Sequence, residues 1–416
     1  MIDIFDLNYD ISCRKAKQID KIEKFHGKGI LYGMARYFGG MMLSLVLLRI
    51  NILCFNKKYI LTTTSSNQSK AIEPLRSKGI DSSVVSLTVA YKSVEIDRRY
   101  PDFIAYFISL FFIPCYFFEL FKCDCLYRKR AMLVCFDRFV LSYGLYILNL
   151  IMMKFSKAKY VVFSNDHCVW HRALLKACEK NKVKTVYLQH AVVANNFPKL
   201  RFDYSFLDGE QAFKCYGNKS LGKVYLVGAL RYQKFACDIK KENMIALCFN
   251  TLDSIDFISN MIRKVTQHFN MSIVVRPHPR DTRKEQIQMI ATKYNASYSD
   301  PCEDSLSLLC RCKMMLAGVS GIHLDAIMVG CFPFTLRGWG TDFYGFISDG
   351  IVTECEDISH IDIDDTTVEK FSLINYFNAR YGNEVHPEID EIIHMVLEGQ
   401  DYKAVFSRVE NNVFRY

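Results

Sequence analysis

The sequence predicts an α/β protein in which two Rossmann-like domains face each other across a cleft. Strand and helix patterns alternate in two separate runs along the chain, and each short β-branched run is followed by a polar loop. The length agrees, since 416 residues exceed what one compact core accommodates. Gly228 lies between the two runs, so we expect an N-terminal domain over residues 1–228 and a C-terminal domain over residues 229–416.

The composition describes a globular protein that meets an acidic partner in a reducing compartment. Half of the residues are hydrophobic, 23% are charged, and the net charge of +9 suits a nucleotide or a membrane surface. Nucleic acid fits less well, because no dense Lys/Arg run is interleaved with aromatic residues. The 16 cysteines are scattered without a Cys-x-x-Cys pair, and the first residues lack a signal-peptide pattern. We therefore expect free thiols and a cytoplasmic location.

The first run of alternation contains a strand, a polar Thr/Ser/Asn loop, a helix and a second strand, and it resumes after an apolar interruption. β-branched stretches mark the strands, and apolar residues at helical spacing mark the helices. The predicted strands are 58–64, 82–87, 159–163, 184–188, 202–207 and 223–227, and the predicted helices are 68–78, 131–154 and 170–180.

The interruption is an apolar, aromatic segment flanked by cations. Arg98 and Arg99 precede residues 103–121, and the basic run 128–130 follows them. Nineteen residues are at the lower limit of a bilayer span. Three interpretations stay open: a helix in the membrane interface, held by aromatic residues and cations, a helix pair buried between the domains, and a true span. The span is the least favoured of the three, because it has to tolerate Pro114 and place Glu119 close to one end. The first predicts that residues 98–130 bind a membrane peripherally.

Histidines and carboxylates follow successive strands of the first domain. Asp166 and His167 come after strand 159–163, and His190 comes after strand 184–188. The carboxyl ends of parallel strands meet at one edge of a sheet, where α/β sheets bind their ligands. A lone histidine is more often structural, but two at equivalent strand ends favour a catalytic site that activates a hydroxyl group.

The second run of alternation repeats the pattern and ends in closing helices. Its first strand leads into an amphipathic helix, and a small-residue turn leads into a later one. The predicted strands are 244–249, 273–275, 313–317 and 332–336, and the predicted helices are 254–268, 283–294, 305–310, a helix that ends at 329, 371–381 and 387–397.

The stretch Ile273–Asp281, Ile-Val-Val-Arg-Pro-His-Pro-Arg-Asp, organises the second domain. The two prolines stop the strand and hold His278 on a stiff, extended loop. Arg276, His278 and Arg280 then bring three cationic groups to the carboxyl end of a strand, and such a cluster suits a phosphate. A surface loop that is basic by chance is the alternative.

Further positions of the second domain point to a nucleotide. The turn before the helix that ends at 329 contains Ser320 and Gly321, whose backbone N–H groups would cradle a phosphate. Serine is also common there simply as a helix cap. Asp325, one turn into the helix, would reach a ribose hydroxyl, and Asn250 follows strand 244–249 at the same edge.

These features resemble the GT-B glycosyltransferases. More narrowly, they resemble a bacterial surface-polysaccharide group: polysialyltransferases and related sialyltransferases, capsule Kdo transferases and CDP-glycerol glycerophosphotransferases. The matching pieces cover less than half of the chain, and the His-Pro pair is the most specific of them. They are Tyr187-Leu188-Gln189-His190, Phe202-Asp203-Tyr204 with Leu207-Asp208-Gly209-Glu210, His278-Pro279, and Ser320-Gly321 through Gly330.

The resemblance implies a transferase that works without a metal or cofactor. The donor would be a CMP-linked sugar such as sialic acid or Kdo. The acceptor would be a lipid-linked oligosaccharide of capsule or lipopolysaccharide O-antigen, at the inner face of the cytoplasmic membrane. In such sialyltransferases an acidic Asp/Glu-Asp/Glu-Gly motif supplies the base, and the His-Pro histidine meets the CMP phosphate. Here Leu207 occupies the first acidic position, so Asp166 rivals Asp208 as the base.

Two alternatives share the architecture: a CDP-polyol phosphotransferase of the glycerophosphotransferase type, and a sugar-nucleotide epimerase. An epimerase needs no lipid acceptor, so the aromatic and basic segment 98–130 favours transfer. The triplet Asp362-Ile363-Asp364 resembles the metal-binding Asp-x-Asp of another glycosyltransferase class. It lies outside the Rossmann-like units, so we expect a solvated loop and no metal site there.

Overall fold

The computed structural model describes residues 2–12, 29–47, 54–76, 80–88, 96–194, 197, 199–216, 220–229, 240–300, 302–318, 320–361, 389–399, 407–410 and 413–415. The strands are β1 (Tyr59–Thr63), β2 (Ser82–Ser86), β3 (Arg98–Arg99), β4 (Tyr160–Phe163), β5 (Lys184–Leu188), β6 (Tyr204–Leu207), β7 (Lys223–Leu226), β8 (Glu242–Cys248), β9 (Ser272–Arg276), β10 (Ser297–Tyr298), β11 (Cys312–Ala317), β12 (Phe332–Leu336), β13 (Thr353–Cys355), β14 (Ser407–Glu410) and β15 (Val413–Arg415).

Six of the described helices each connect two neighbouring parallel strands. The described helices are α1 (Ile4–Leu7), α2 (Tyr9–Ser12), α3 (Ile30–Leu47), α4 (Ser66–Arg76), α5 (Asp102–Leu110), α6 (Ile113–Lys122), α7 (Leu126–Val134), α8 (Phe136–Lys154), α9 (Val169–Asn181), α10 (Glu210–Cys215), α11 (Ile255–His268), α12 (Lys284–Lys293), α13 (Ser305–Arg311), α14 (Ile322–Met328) and α15 (Ile389–Glu398).

Two sheets divide the described strands between two α/β units, as the sequence predicted. The nine-stranded sheet has the order β14-β15-β7-β6-β5-β4-β1-β2-β3, and the six-stranded sheet has the order β10-β9-β8-β11-β12-β13. Neighbouring strands are parallel, apart from the antiparallel pair of β14 and β15. Central strands such as β1 are buried along their whole length because helices cover both faces, which explains their β-branched composition.

The chain returns to the first sheet at its C-terminal end. Ile392 and Ile393 of α15 pack with Leu61 of β1 in the first core, and Lys58 pairs with Glu398 at 2.7 Å. β15 then extends the sheet beside β7. A single C-terminal domain over residues 229–416 was expected. The structure instead assigns the described residues after 389 to the first unit, because the apolar face of α15 covers that sheet.

A group of helices extends the first unit: α3, α5, α6, α7 and α8. α3 and α8 are each long and apolar enough to cross a bilayer, as is the pair α5–α6, which is bent by 65°; these are the candidates among the described residues. Only 17% of α3 is buried inside the protein, against 67% of α8. The apolar segment 103–121 is therefore a bent helix pair, and α3 is a second apolar element beside it.

Most of the described cysteines are free thiols, as expected. Cys310 in α13 is instead disulfide-bonded, so the expectation does not hold at that position.

Candidate active site

Three adjacent strands of the first sheet bring their polar residues to one edge. β4 pairs with β5, and β5 pairs with β6, all parallel. The residues that follow them are buried although they are polar: Asp166, Gln189 and Asp208 are 3%, 6% and 6% exposed. Burying a carboxylate is costly unless it has partners, so such a cluster at strand ends points to a site rather than to packing.

Asp166 and His167 form a hydrogen-bonded pair. Oδ1 of Asp166 lies 2.8 Å from Nδ1 of His167, and the His167 side chain is 32% exposed whereas that of Asp166 is 2% exposed. Asn165 fixes the turn, since its Oδ1 accepts hydrogen bonds from the backbone N–H groups of His167 and Cys168. The ring of Phe197 meets the imidazole edge to face at 5.3 Å. His167 is therefore the member of the pair that a ligand can reach.

Arg172 holds the loop that contains Asp166 and His167 in place. It is 5% exposed and donates to the carbonyl oxygen of Asp166 at 3.0 Å. It also pairs with the carboxylate of Asp6, to which Arg201 donates at 2.8 Å. Arg172 was not predicted to belong to the site; it is the fourth residue of α9 and is buried there.

The neighbouring strand end is organised by Gln189. Its Oε1 accepts from the backbone N–H of Asp208 at 2.9 Å, and its Nε2 donates to the carbonyl of Ala191 at 3.1 Å. This holds the Asp208 turn and the partly buried His190 loop at one edge of the sheet. Beneath them lies His171, 1% exposed, whose pKa burial lowers to about 3. His171 was not predicted to belong to this region.

Two buried tyrosines complete this edge. The hydroxyl of Tyr216 donates to that of Tyr187 at 2.9 Å. Burial raises the pKa of both hydroxyls, and the negative charge of Asp166 raises the pKa of each further. Both tyrosine hydroxyls therefore stay neutral beside the carboxylate of Asp166.

In the second unit, Arg276 does not serve the role expected of it. It is 5% exposed, and its guanidinium donates to Oγ of Ser299 at 2.8 Å and to the carbonyl of Glu303 at 2.6 Å. Arg276 therefore braces the loop after β10 from inside the protein. We withdraw its assignment as a phosphate ligand, because its donors are committed to that loop.

His278 and Arg280 lie exposed on the loop after β9. The backbone N–H of Arg280 donates to Nδ1 of His278 at 3.0 Å. Nδ1 is thus the acceptor, so the neutral imidazole carries its proton on Nε2. Although the side chain of His278 reaches solvent, partial desolvation by the surrounding loop lowers its pKa, and the charge of Arg280 lowers it further. The loop therefore presents a neutral N–H donor beside a guanidinium, which suits a phosphate oxygen.

A bidentate ion pair holds this loop in place. Arg283 donates to both carboxylate oxygens of Asp281, at 2.9 and 2.7 Å, and to the carbonyl of Asp253 at 2.8 Å. Asp281 is 3% exposed, and the hydrogen bond from Arg283 lowers its pKa. The loop after β9 is thereby tied to the loop after β8, where Asn250 lies.

The remaining predicted donor ligands have local partners. Oδ1 of Asn250 accepts from the backbone N–H of Leu252 at 2.7 Å, and Oγ of Ser320 lies 3.3 Å from the N–H of Ile322. The carboxylate of Asp325 accepts from Ser305 at 3.0 Å. These bonds shape the strand-end loops, and the roles of these residues toward a donor stay predictions.

The strand-end edge of the first sheet meets the second unit where the loop after β5 reaches the start of α14. A Cβ placed on Gly321 would lie 3.9 Å from Cγ2 of Val192. Val192 also packs against the apolar cluster of Leu324, Phe346 and Ile351 from the second unit. The predicted acceptor side and the predicted donor side thus approach each other next to His190.

Within the described ranges, no group of three or more His, Cys, Asp and Glu side chains is arranged to hold a metal ion. The triplet Asp362-Ile363-Asp364 and helix 371–381 lie outside those ranges.

Comparison with known proteins establishes the architecture. No protein-family model matches the chain, and no curated protein matches it. A UDP-N-acetylglucosamine 2-epimerase is similar with a TM-score of 0.53 at 12% identity, over 85% of this chain and 98% of that one. The epimerase from Neisseria meningitidis bound to UDP-GlcNAc gives 0.48 at 13% identity, over 82% and 100%. The wall teichoic acid polymerase TagF gives 0.46 at 9% identity, over 94% and 99%.

The chain therefore has the GT-B fold of two Rossmann-like units, as the sequence predicted. At these identities the likeness concerns the fold alone. These three similar structures are two epimerases and a teichoic acid polymerase, so neither a sialyltransferase nor a Kdo transferase is among them.

Proposed function

We propose that the protein is a transferase that moves a sugar or a polyol phosphate from a nucleotide-activated donor to a hydroxyl group of a lipid-linked glycan. The Asp166–His167 pair carries this proposal, because a shielded carboxylate that orients an accessible imidazole is the arrangement of a general base. The acceptor belongs to the cytoplasmic face of the membrane. The proposed donors include nucleotide-linked polyol phosphates as well as the CMP-linked sugars that the resemblance implies.

The base chemistry follows from the hydrogen bonds. Nδ1–H of His167 donates to Asp166, so Nε2 carries the lone pair and is left for a ligand. An acceptor hydroxyl gives its proton to Nε2 as its oxygen forms a bond to the activated carbon or phosphorus. Asp166 stabilises the resulting imidazolium and acts as a positioning residue, in place of the direct catalytic role first expected. His190 is the alternative base, and Asp208 is a further candidate for this role.

The departing nucleotide takes the electron pair of the bond that breaks. Nε2–H of His278 and the guanidinium of Arg280 would stabilise the charge that develops on its phosphate, from an edge that is already ordered. The backbone at Ser320 and Gly321 would add N–H donors. No metal is needed for this arrangement.

A second candidate is a sugar-nucleotide 2-epimerase, favoured by the similarity in fold to a UDP-N-acetylglucosamine 2-epimerase. An epimerase converts its nucleotide sugar without any acceptor. NMR of UDP-GlcNAc incubated with the protein alone distinguishes the two, because only an epimerase produces a new isomer under those conditions.

A panel of CMP, CDP, UDP and GDP in a thermal-shift measurement tests donor binding. A ligand that binds the folded state raises the melting temperature by mass action. We expect one nucleotide to raise it in the wild-type protein and to do so much less in His278→Ala. The absence of any shift up to millimolar concentrations would contradict the proposal.

A further inference from the structure

Helix α3, which packs on the first unit, has an inverted polarity. In α3, the residues buried against the protein are Gly33, Tyr37 and Ser44. The exposed ones include Leu31, Leu43 and Val46, at 77%, 55% and 77%. A helix on a water-soluble domain shows the opposite pattern, with its apolar stripe toward the core.

Small residues mediate the packing of this group. A Cβ on Gly33 would lie 2.7 Å from Cβ of Phe136, and one on Gly144 of α8 would overlap the carbonyl of Ala105 in α5. The hydroxyl of Tyr37 lies 2.6 Å from Oγ of Ser109. Close backbone contact through small residues, with hydrogen bonds between helices, is how helices associate in lipid.

The single charge within α3 is neutralised on the protein side. Arg36 donates to both carboxylate oxygens of Asp137, at 3.3 and 2.9 Å, and to the carbonyl of Val134. Its guanidinium is thus kept away from the exposed face. Eighteen residues give α3 a length of about 27 Å, close to the thickness of the hydrocarbon layer of a bilayer.

The bent pair α5–α6 continues the same exposed apolar surface. Phe107, Phe111 and Phe121 are 51%, 70% and 77% exposed, whereas Asp102 and Ser109 of α5 are buried. Cations follow directly, with Lys122 over the ring of Phe118 and the exposed run 128–130 at the start of α7. Aromatic side chains edged by cations match the boundary between lipid tails and anionic headgroups.

We propose that α3, α5 and α6 form an insertion surface that enters the hydrocarbon of a lipid bilayer, so that apolar contact rather than charge holds the protein on the membrane. This goes beyond peripheral binding by residues 98–130 and adds α3 as the largest element. It concerns attachment and does not rest on the proposed reaction, which the nucleotide thermal shift tests separately.

Vesicle flotation of the full-length protein tests the insertion surface. We expect it to float with neutral phosphatidylcholine vesicles equally well at about 0.1 M and about 1 M salt. The higher salt shortens the Debye length from about 10 Å to about 3 Å, which would weaken binding by charge but not binding by apolar contact. The double variant Leu43→Gln/Val46→Gln should lose at least about tenfold in partitioning for each side chain. Leu221→Gln/Met289→Gln, at positions 78% and 66% exposed elsewhere, should float like the wild type.

The wild-type protein offers a second test through its own thiols. Cys115 lies exposed on α6, and Cys302 lies exposed in the second unit. Maleimide labelling followed by mass spectrometry should show that neutral vesicles protect Cys115 several-fold and leave Cys302 unchanged. Flotation only with anionic vesicles at low salt, a dimer that covers the surface without lipid, or equal labelling of Cys115 with and without vesicles would overturn the proposal.

Discussion

The carboxylate of Asp166 lies 2.8 Å from Nδ1 of His167, at the end of a buried parallel strand. The geometry decides the tautomer, because only an Nδ1–H can donate to the carboxylate. Nε2 then keeps its lone pair for an incoming hydroxyl. The pair resembles a base and its orienting group more than a structural ion pair, since Asp166 has no cation bound to its side chain within the described residues.

Asp166→Asn should therefore lower turnover by about 100-fold or more, while nucleotide binding persists. The amide can offer its NH2 to Nδ1, which moves the imidazole proton to Nε2 and removes the base. Steady-state rates and the nucleotide thermal shift, measured on the same preparation, separate the two effects. His190→Ala is the matched control: a larger loss there than in His167→Ala would transfer the role of the base to His190.

Arg276 and Arg280 should behave differently although they lie four residues apart. Arg276→Met leaves the carbonyl of Glu303 and the hydroxyl of Ser299 without their buried donor, so we expect a loss of at least about 2 kcal/mol of unfolding free energy. Arg280→Met should leave stability nearly unchanged and weaken nucleotide binding. Urea denaturation and the thermal shift check both. Equal effects of the two variants on binding would restore Arg276 as a phosphate ligand.

The two glycines of the turn before α14 make another matched pair. A Cβ on Gly318 would lie 2.9 Å from Nε1 of Trp339, which donates to Asp253 at 3.1 Å. Gly318→Ala should displace the indole and cost about 1–3 kcal/mol of stability. Gly321→Ala meets only an ordinary contact with Val192 at 3.9 Å and should be nearly neutral. Chemical denaturation of both variants measures the difference.

Stability should fall as the pH drops below about 6.5. Burial lowers the pKa of His171 to about 3 and that of His323 to about 4. As the pH falls below 6.5, both histidines are therefore protonated in the unfolded chain while they are still neutral in the folded protein. Each histidine then costs about 1.4 kcal/mol per pH unit, and the two together about 2.7 kcal/mol per unit, until the pH approaches the folded pKa values. Urea denaturation between pH 7 and pH 4.5 should show this slope. His171→Phe and His323→Phe should each halve it, and a slope that neither variant changes would contradict the assignment.

Local pattern was enough to predict most of the two α/β units. Strand β5 is Lys184–Leu188 and strand β12 is Phe332–Leu336, as expected from their β-branched and aromatic composition. The sequence did not reveal α3 as a unit, because apolar residues occur on nearly every side of it and leave little amphipathic period to detect. It also did not reveal the return of the C-terminal strands, since pairing β15 with β7 joins residues about 190 positions apart.

The candidate site, too, could be predicted from the sequence only in part. Strand ends brought Asp166, His167 and His190 to one edge, which the topology of a parallel sheet requires. The direction in which the Arg276 side chain points could not be predicted from the sequence. Side chains alternate along a strand, and the partners Ser299 and Glu303 come from a loop more than 20 residues away.

The most direct measurement of the central claim is nucleotide release from the donor whose nucleotide gives the largest thermal shift, assayed with and without a lipid-linked acceptor fraction. The account predicts release that depends on the acceptor and that falls by about 100-fold or more in His167→Ala, with the thermal shift retained. Release that needs no acceptor, conversion of the donor to an isomer instead of release, or full activity of His167→Ala would contradict it.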